Sequence, residues 1–565
     1  MKGDMKTKRL KYLALLGLGL AAGASIRLIY LQGFRHSAYE EASIEQAQEQ
    51  ITIDLPRAAL VDRNGGVIAA SIRSPSIYTF NPQKIQDPAG LARAVALISG
   101  ESADDILDRL RGRKRFTWLA RKLPYDRYEE AQAICSRFPG CELMEEWGRA
   151  YPGATLAANL VGCVGTDGGL SGLESDWNKE LQGGTREYMV MRDAVSTTLI
   201  PLEIVPAVDP RPPATRLTID EAIQFYAEQV LDETVNEVRA RTGVAIVLDP
   251  RSGDILAMAV RPTFDPNRPG RFPVSDWRNH AVLDAYEPGS TFKLVTLAAA
   301  LDSGRFKPWD TVAVGNGTLT IGPKTIHDDE HPFKAIYTLE EVLAHSSNVG
   351  AAKIGMALGP DVMYHYIKLF GFGEPTALHM KGESGGLVRP PSQWSMLSLP
   401  SLSFGQEITV TPIQLALAYA AVASGGYRVT PKIYYGGGTP PPERILSAAT
   451  CQELDAMLRK VVAEGTGKAA AIPGITAAGK TGTAQKIGHK SEDGRKLFIA
   501  YFAGYAPAES PEVVTLVMVD EPLGKIYGGA VAAPAWAKIT AFALKRLATQ
   551  RVPASMEIAS KEAGR

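Results

Sequence analysis

Tyr286-Glu287-Pro288-Gly289-Ser290-Thr291-Phe292-Lys293 sets a hydroxyl and an amine three residues apart, directly after a Pro-Gly pair. On a helix that spacing stacks the two side chains on one face, one turn apart. A serine hydroxyl is a weak nucleophile until its proton is taken, and a neutral lysine beside it can take it. A free lysine, with a pKa of about 10.4, is charged at neutral pH. Lys293 can therefore act as a base only if burial or a second cation pushes that value down. Read alone, Ser290 is also a helix N-cap and Lys293 a solvated first-turn lysine, although a cation there opposes the helix dipole. The tetrad needs company before it decides anything.

Two further clusters lie downstream. Ser346-Ser347-Asn348 sits in LAHSSNVGAAK, and Lys480-Thr481-Gly482-Thr483 sits in ITAAGKTGTAQK. The flanking text supplies a scaffold. Residues 216–241 carry helical periodicity with Asp220 as N-cap. VAIVLDPRSGDILAMAV at 244–260 is two apolar runs joined by Pro250-Arg251-Ser252-Gly253, a hairpin signal. Phe498–Tyr505 and Val513–Asp520 read as two more strands, and an amphipathic helix follows at 534–548. Strands at both ends of a long helical middle predict an antiparallel sheet packed between helices, an α+β fold.

Upstream the text changes. Lys2, Lys6, Lys8, Arg9 and Lys11 precede an apolar run that Arg27 interrupts and Leu28–Leu31 resumes. Tyr12 to Leu31, at ~1.5 Å per residue, matches a hydrocarbon core of ~30 Å. The basic flank predicts a cytoplasmic N-terminus with everything after residue 31 exported. Ala22-Gly23-Ala24 mimics a signal-peptide cleavage site, but the apolar run continues past it, which favours an uncleaved anchor. Residues 32–56 are polar and Gln/Glu-rich, read as a stalk, and a charged helical patch spans 101–115. VPAVDPRPPAT at 205–215 reads as a linker.

Lys+Arg and Asp+Glu both number 61, so no generally basic surface for nucleic acid is indicated. Cys135, Cys141, Cys163 and Cys451 form no CxxC pair or Cys/His cluster, so neither a metal nor another cofactor is expected. Cys135 and Cys141 flank Pro139-Gly140, and two readings stand open: a disulfide if this region is exported, or two free half-buried thiols. His327-Asp328 with His331 resembles a metal or triad fragment, although the chain already carries a serine–lysine set.

In chain order, SxxK, SxN and KTG are the signature set of penicillin-recognising serine acyltransferases. The likeness continues outside them. Arg57-Ala58-Ala59-Leu60-Val61-Asp62-Arg63-Asn64-Gly65 resembles an RGxIxDRNG motif, and Tyr151-Pro152-Gly153 and Gly172-Leu173-Glu174 resemble later N-terminal motifs. DPRSGDILAMAVRPTFDPN, SFGQEITVTPIQLALAYAAVASGG and VDEPLGKIYGGAVAAP match in style further on. Nearly the whole chain resembles the class B penicillin-binding proteins, monofunctional peptidoglycan D,D-transpeptidases. The last motif leans toward the septal, division-specific branch or its sporulation relatives. Ala58 stands where the family usually has glycine, and Asn159 where histidine is common, which touches packing or docking rather than chemistry.

The resemblance implies the penicillin-binding transpeptidase fold, with a five-stranded antiparallel sheet between helices, a mixed elongated pedestal and one N-terminal transmembrane helix. It divides the chain into a cytoplasmic tail (1–11), an anchor (12–31), a pedestal (32–205), a linker (206–215), a transpeptidase domain (216–548) and a polar tail (549–565). It implies Ser290 as nucleophile, Lys293 as base and Ser346 as proton relay. Asn348 is implied to bind the substrate amide and fix Lys293, while Lys480, Thr481 and Thr483 bind the terminal carboxylate. The N–H groups of Ser290 and Thr483 would form the oxyanion hole, and Gly482 would let the strand approach substrate. The implied substrates are peptidoglycan stem peptides ending in D-Ala-D-Ala, the implied inhibitors β-lactams. A multi-spanning glycan polymerase and divisome proteins are the implied partners, since no glycosyltransferase segment is recognisable. The rival readings are a β-lactamase or D,D-carboxypeptidase of the same superfamily, a non-catalytic division scaffold, and a penicillin sensor. No ExxLN-type element supports the lactamase, and a single apolar span disfavours the sensor.

Overall fold

The computed structural model describes residues 2–39, 48–112, 116–192, 199–201, 212–329, 334–436, 441–491 and 493–551. The chain forms two compact units, Met1–Arg57 with Gln182–Arg211, and Ala58–Leu181 with Pro212–Arg565.

The first unit begins with the helix Lys2–Ile29, which continues through a π-helical turn at Tyr30–Phe34. Its stretch Leu10–Phe34 has a mean hydropathy of 1.7 with none of it buried, the signature of a helix apolar enough to cross a membrane. Twenty-five residues at ~1.5 Å each span about 37 Å, more than a ~30 Å hydrocarbon core requires. Gln48–Asp54, expected to belong to a stalk, is instead a strand, paired antiparallel with Thr185–Arg192, which also pairs with Leu199–Pro201. Its partner lies far along the chain, so local reading had nothing to detect. Of the stalk, 40–47 fall outside the described residues, as do most of the linker and of the polar tail.

In the second unit, the strand Val67–Thr79 pairs with Leu60–Val61, Thr117–Ala120 and Glu142–Ala150. Helices Pro88–Ser99, Ala103–Arg111 and Tyr128–Arg137 supply a small separate core around Ile77, Leu91, Val95, Ile106 and Leu119. Within the expected charged patch, the helix ends at Arg111, and 113–115 are outside the described residues. Leu60, Ile68, Leu160 and Leu173 join the larger core that also holds Leu217, Ile219 and Val244.

The N-terminal motifs acquire physical roles here. Asp62 accepts from Asn64 N at 2.8 Å, Gly66 N at 2.7 Å and Glu221 N at 3.2 Å, and Asn64 Nδ2 donates to Asp220 at 3.0 Å. The turn thereby braces the start of Glu221–Glu237, whose N-cap Asp220 accepts from Ala222 N and Ile223 N. Glu174 pairs with Arg149 at 2.6 Å with both side chains almost fully buried, and Arg149 also donates to Ala58 O at 2.8 Å. Asn159 is buried and its amide reaches the carbonyls of Pro262, Asp276 and Arg278, at 3.3, 2.7 and 3.1 Å.

Five strands make the central sheet: β1 (Thr242–Leu248), β2 (Ile255–Arg261), β3 (Ala478–Lys490), β4 (Lys496–Ala506) and β5 (Val513–Asp520). Their order is β2-β1-β5-β4-β3, antiparallel throughout, as the α+β reading requires. Successive strand residues face opposite sides. Val244, Ile246, Leu516 and Met518 enter one core, while Ala245, Val247, Val517 and Val519 meet Leu231, Trp536 and Ile539 in the other. That is why the strand text reads as unbroken apolar runs.

The last helix runs from Gly528 to Arg551, six residues earlier than its periodicity predicts, with Pro534 inside it. A Cβ at Gly528 would lie 2.2 Å from Tyr501 O and 2.4 Å from Gly482 O, so the helix start needs glycine to seat against the sheet. Removing Glu174 leaves Arg149 charged and without its carboxylate in a dry site. We expect Glu174→Ala to lower stability by about 3–5 kcal/mol. Glu233→Ala, which breaks a half-exposed contact with Lys538, should cost no more than ~1 kcal/mol on the same denaturant curve.

Candidate active site

Ser290 lies in a 3-10 turn, Gly289–Phe292, that feeds the buried helix Lys293–Asp302. Three contacts hold the turn. Thr291 Oγ1 donates to Pro288 O at 2.6 Å, Tyr419 Oη donates to Thr291 O at 2.9 Å, and Gly289 N donates to Gly405 O at 3.1 Å. Thr296 Oγ1 adds a bond to Ser403 O at 2.8 Å, so the SFGQ segment braces the Ser290 turn from behind.

Lys293 is fully buried, and four oxygens surround its Nζ. Ser290 Oγ lies at 2.8 Å, Ser346 O at 2.7 Å, Asn348 Oδ1 at 2.7 Å and Ser346 Oγ at 3.2 Å. Ser346 O and Asn348 Oδ1 can only accept. A neutral amine has two N–H bonds for those two oxygens, which leaves its lone pair for the Ser290 hydroxyl proton. Asn348 is held in the matching orientation because its Nδ2 donates to His327 O at 2.9 Å.

Ser346 has φ of +59°, a strained value for a residue with a side chain. That conformation turns its carbonyl toward Lys293 while its Oγ reaches Lys293 at 3.2 Å and Lys480 at 3.0 Å. Ser347 caps the following helix, Asn348–Leu358, by accepting from Gly350 N at 2.9 Å. Asp328 completes the brace, accepting from Ser347 Oγ at 2.8 Å and Val349 N at 2.9 Å. The suspected His327-Asp328-His331 fragment therefore resolves differently. Asp328 grips the Ser346-Ser347-Asn348 turn and His327 lends it a carbonyl, while His331 lies outside the described residues. Among the described residues no group of three or more His, Cys, Asp or Glu side chains could hold a metal ion.

The third cluster lies on β3, the edge strand, so alternate backbone groups along it point away from β4. Lys480 is fully buried, and its Nζ also donates to Thr481 O at 3.1 Å and Thr481 Oγ1 at 3.2 Å. Thr481 Oγ1 is 2.6 Å from Thr466 Oγ1, and Thr483 Oγ1 accepts from Gly528 N at 3.1 Å. A Cβ at Gly482 would meet Thr291 Cγ2 at 2.8 Å and Pro288 O at 3.1 Å. Glycine there seats β3 on the turn that carries Ser290.

Burial drives the electrostatics. It pushes the Lys293 amine down to about 7, against the opposing pull of Asp329 and Asp328. Burial also holds Lys480 well below its ordinary range, and Lys293 pushes it lower still. The sequence assigned part of the Lys293 shift to Lys480. In the structure burial is the leading cause for both amines, and the mutual repulsion of the two cations adds to it.

Every residue singled out from the sequence (Ser290, Lys293, Ser346, Asn348, Lys480, Thr481, Gly482 and Thr483) lies in or directly beside this network. Tyr419 and Thr466 were missed, because they join the site through contacts from distant segments and no local pattern marks them. Asp328 was singled out only as part of a metal or triad fragment.

Residues 243–541 match the penicillin-binding protein transpeptidase domain, and residues 52–208 match the penicillin-binding protein dimerisation domain. A probable peptidoglycan D,D-transpeptidase, PbpC of Pseudomonas aeruginosa, is 32% identical over 96% of this chain and 97% of its own. The peptidoglycan D,D-transpeptidase FtsI of Escherichia coli is 32% identical over 88% of this chain and 84% of its own. Penicillin-binding protein 3 of Mycobacterium tuberculosis, solved in complex with aztreonam, superposes with a TM-score of 0.66 at 29% identity, covering 89% of this chain and 98% of that one. With a lysine amine poised on a serine hydroxyl and these likenesses across its length, the chain belongs to the class B penicillin-binding proteins and is a peptidoglycan D,D-transpeptidase.

Proposed function

We propose that Ser290 attacks the penultimate carbonyl of a stem peptide ending in D-Ala-D-Ala, and that the acyl-enzyme passes to an amine of a neighbouring strand. The observation that carries this reading is the 2.8 Å approach of a buried Lys293 Nζ to Ser290 Oγ. Lys293 takes the hydroxyl proton as the Ser290 Oγ–carbonyl bond forms. Ser346 Oγ, within reach of both amines, passes a proton on to the departing D-Ala nitrogen. The substrate's terminal carboxylate docks on Lys480, Thr481 and Thr483. Its charge favours a protonated Lys480, and a protonated Lys480 in turn keeps Lys293 neutral. Asn348 takes the substrate amide, and the N–H groups of Ser290 and Thr483 stabilise the oxyanion, each such donor being worth ~3 kcal/mol.

β-Lactams, which place a strained amide and a carboxylate in the same positions, acylate the same serine. Residues 1–11 stay cytoplasmic, 12–31 anchor the chain, and the segments 32–205 and 216–548 form an exported pedestal and transpeptidase domain joined by 206–215. The basic residues before the anchor support that orientation. The setting is septal wall synthesis, beside a multi-spanning glycan polymerase and divisome proteins, as the motif VDEPLGKIYGGAVAAP suggests.

Fluorescent penicillin should label the wild type covalently and leave Ser290→Ala unlabelled; equal labelling of both would remove Ser290 as nucleophile. The adduct should persist through gel electrophoresis, whereas turnover within seconds would favour the lactamase reading. Because only the neutral amine accepts a proton, acylation should speed up about tenfold per pH unit below about 7 and level off above it. A flat profile from pH 5 to 9 would rule out Lys293 as base.

A further inference from the structure

Two of the four cysteines face each other away from the active site. Cys135 lies near the end of the helix Tyr128–Arg137, and Cys141 immediately precedes the strand Glu142–Ala150. Their Sγ atoms are 2.9 Å apart as free thiols, so about 0.9 Å of closure reaches the ~2.05 Å of a bond. The backbone between them is already set by Phe138 N donating to Ile134 O and Cys141 N donating to Phe138 O, both at 3.0 Å. Cys141 is buried in the small core with Ile77, Leu91 and Leu119, and Cys135 packs at its edge. Cys163 and Cys451 are also buried, so Cys135 is the one cysteine a solvent-borne oxidant meets first.

We propose that Cys135 and Cys141 are a built dithiol site that closes to an intramolecular disulfide when it meets a disulfide oxidant. The Cys135 thiolate attacks one sulfur of the oxidant, breaking its S–S bond and releasing one thiol. Cys141 then loses its proton, attacks Cys135 Sγ and expels the second thiol. One disulfide and two cysteine thiols thus become the Cys135–Cys141 disulfide and two small thiols. The hydrogen bond to Cys135 and burial push the Cys141 thiol upward, which fits it as the resolving rather than the attacking sulfur. The cross-link ties a helix end to a sheet edge in a core separate from that of the catalytic helices. It should therefore stiffen this lobe and leave acylation of Ser290 unchanged. Export of the lobe decides only whether the cell presents the oxidant; the chemistry can be tested without it.

The test uses the full-length chain in detergent, incubated with oxidised glutathione, then denatured, alkylated and digested with trypsin. Cleavage after Arg137 separates peptides 128–137 and 138–149, so a disulfide appears as a linked peptide pair. The expected result is that alkylatable thiols fall from four to two and that this pair carries the link. Cys141→Ser should instead trap glutathione on Cys135. Cys135→Ser should keep all three of its remaining thiols alkylatable, with no glutathione on Cys141. Four free thiols in the treated wild type, or a lasting glutathione adduct on Cys135 without the linked pair, would overturn the proposal. Thermal unfolding of each sample separates a failed link from a failed fold.

Discussion

An amine with no access to water, bonded only to oxygen, is the constraint on which this structure turns. Lys293 loses its hydration inside the protein, so its charged form is disfavoured and its pKa falls to about 7. Ser346 O and Asn348 Oδ1 consume the two N–H bonds of the neutral form, and Ser290 Oγ faces what remains. The same burial that would make an unpartnered lysine destabilising favours the neutral amine here, the form the proposed base requires. Asp328 and Asp329 work in the opposite direction, lifting the value back from deeper depression.

The surrounding architecture keeps those oxygens in place. The Ser290 turn leans on the loop at Ser403 and Gly405, the Ser346 turn hangs from Asp328, and β3 closes the third side through Gly482. The last helix can press against β3 and β4 only because its first residue, Gly528, lacks a side chain. Three segments far apart in sequence therefore meet around one Ser346 hydroxyl that touches both lysines. Strain at Ser346 is part of that arrangement, since its left-handed backbone is what lets carbonyl and hydroxyl serve the same amine.

Much of this was legible beforehand because it is written locally. The Asp220 cap, the 249–254 hairpin turn and strand Val513–Asp520 follow from short-range patterns, and the three motifs name residues that the fold brings together. What stayed hidden is long-range. Gln48–Asp54 read as a stalk because its partner strand, Thr185–Arg192, lies near the far end of the pedestal text. The last helix read short because its first residues, from Gly528, are set by the sheet they seat against and not by amphipathic periodicity. Asp328 looked like a metal or triad fragment beside two histidines, and its grip on Ser347 and Val349 emerges only in three dimensions. The burial that lowers both lysines was equally invisible, since it depends on packing from distant segments.

The most direct test reads the proton on Lys293 itself. Protein labelled with 15N at lysine side chains can be titrated by NMR, with the Lys293 resonance assigned by its loss in Lys293→Ala. The midpoint is expected at about 7. A midpoint near the ~10.4 of a free lysine would mean a charged amine at neutral pH, and would contradict the proposed base outright.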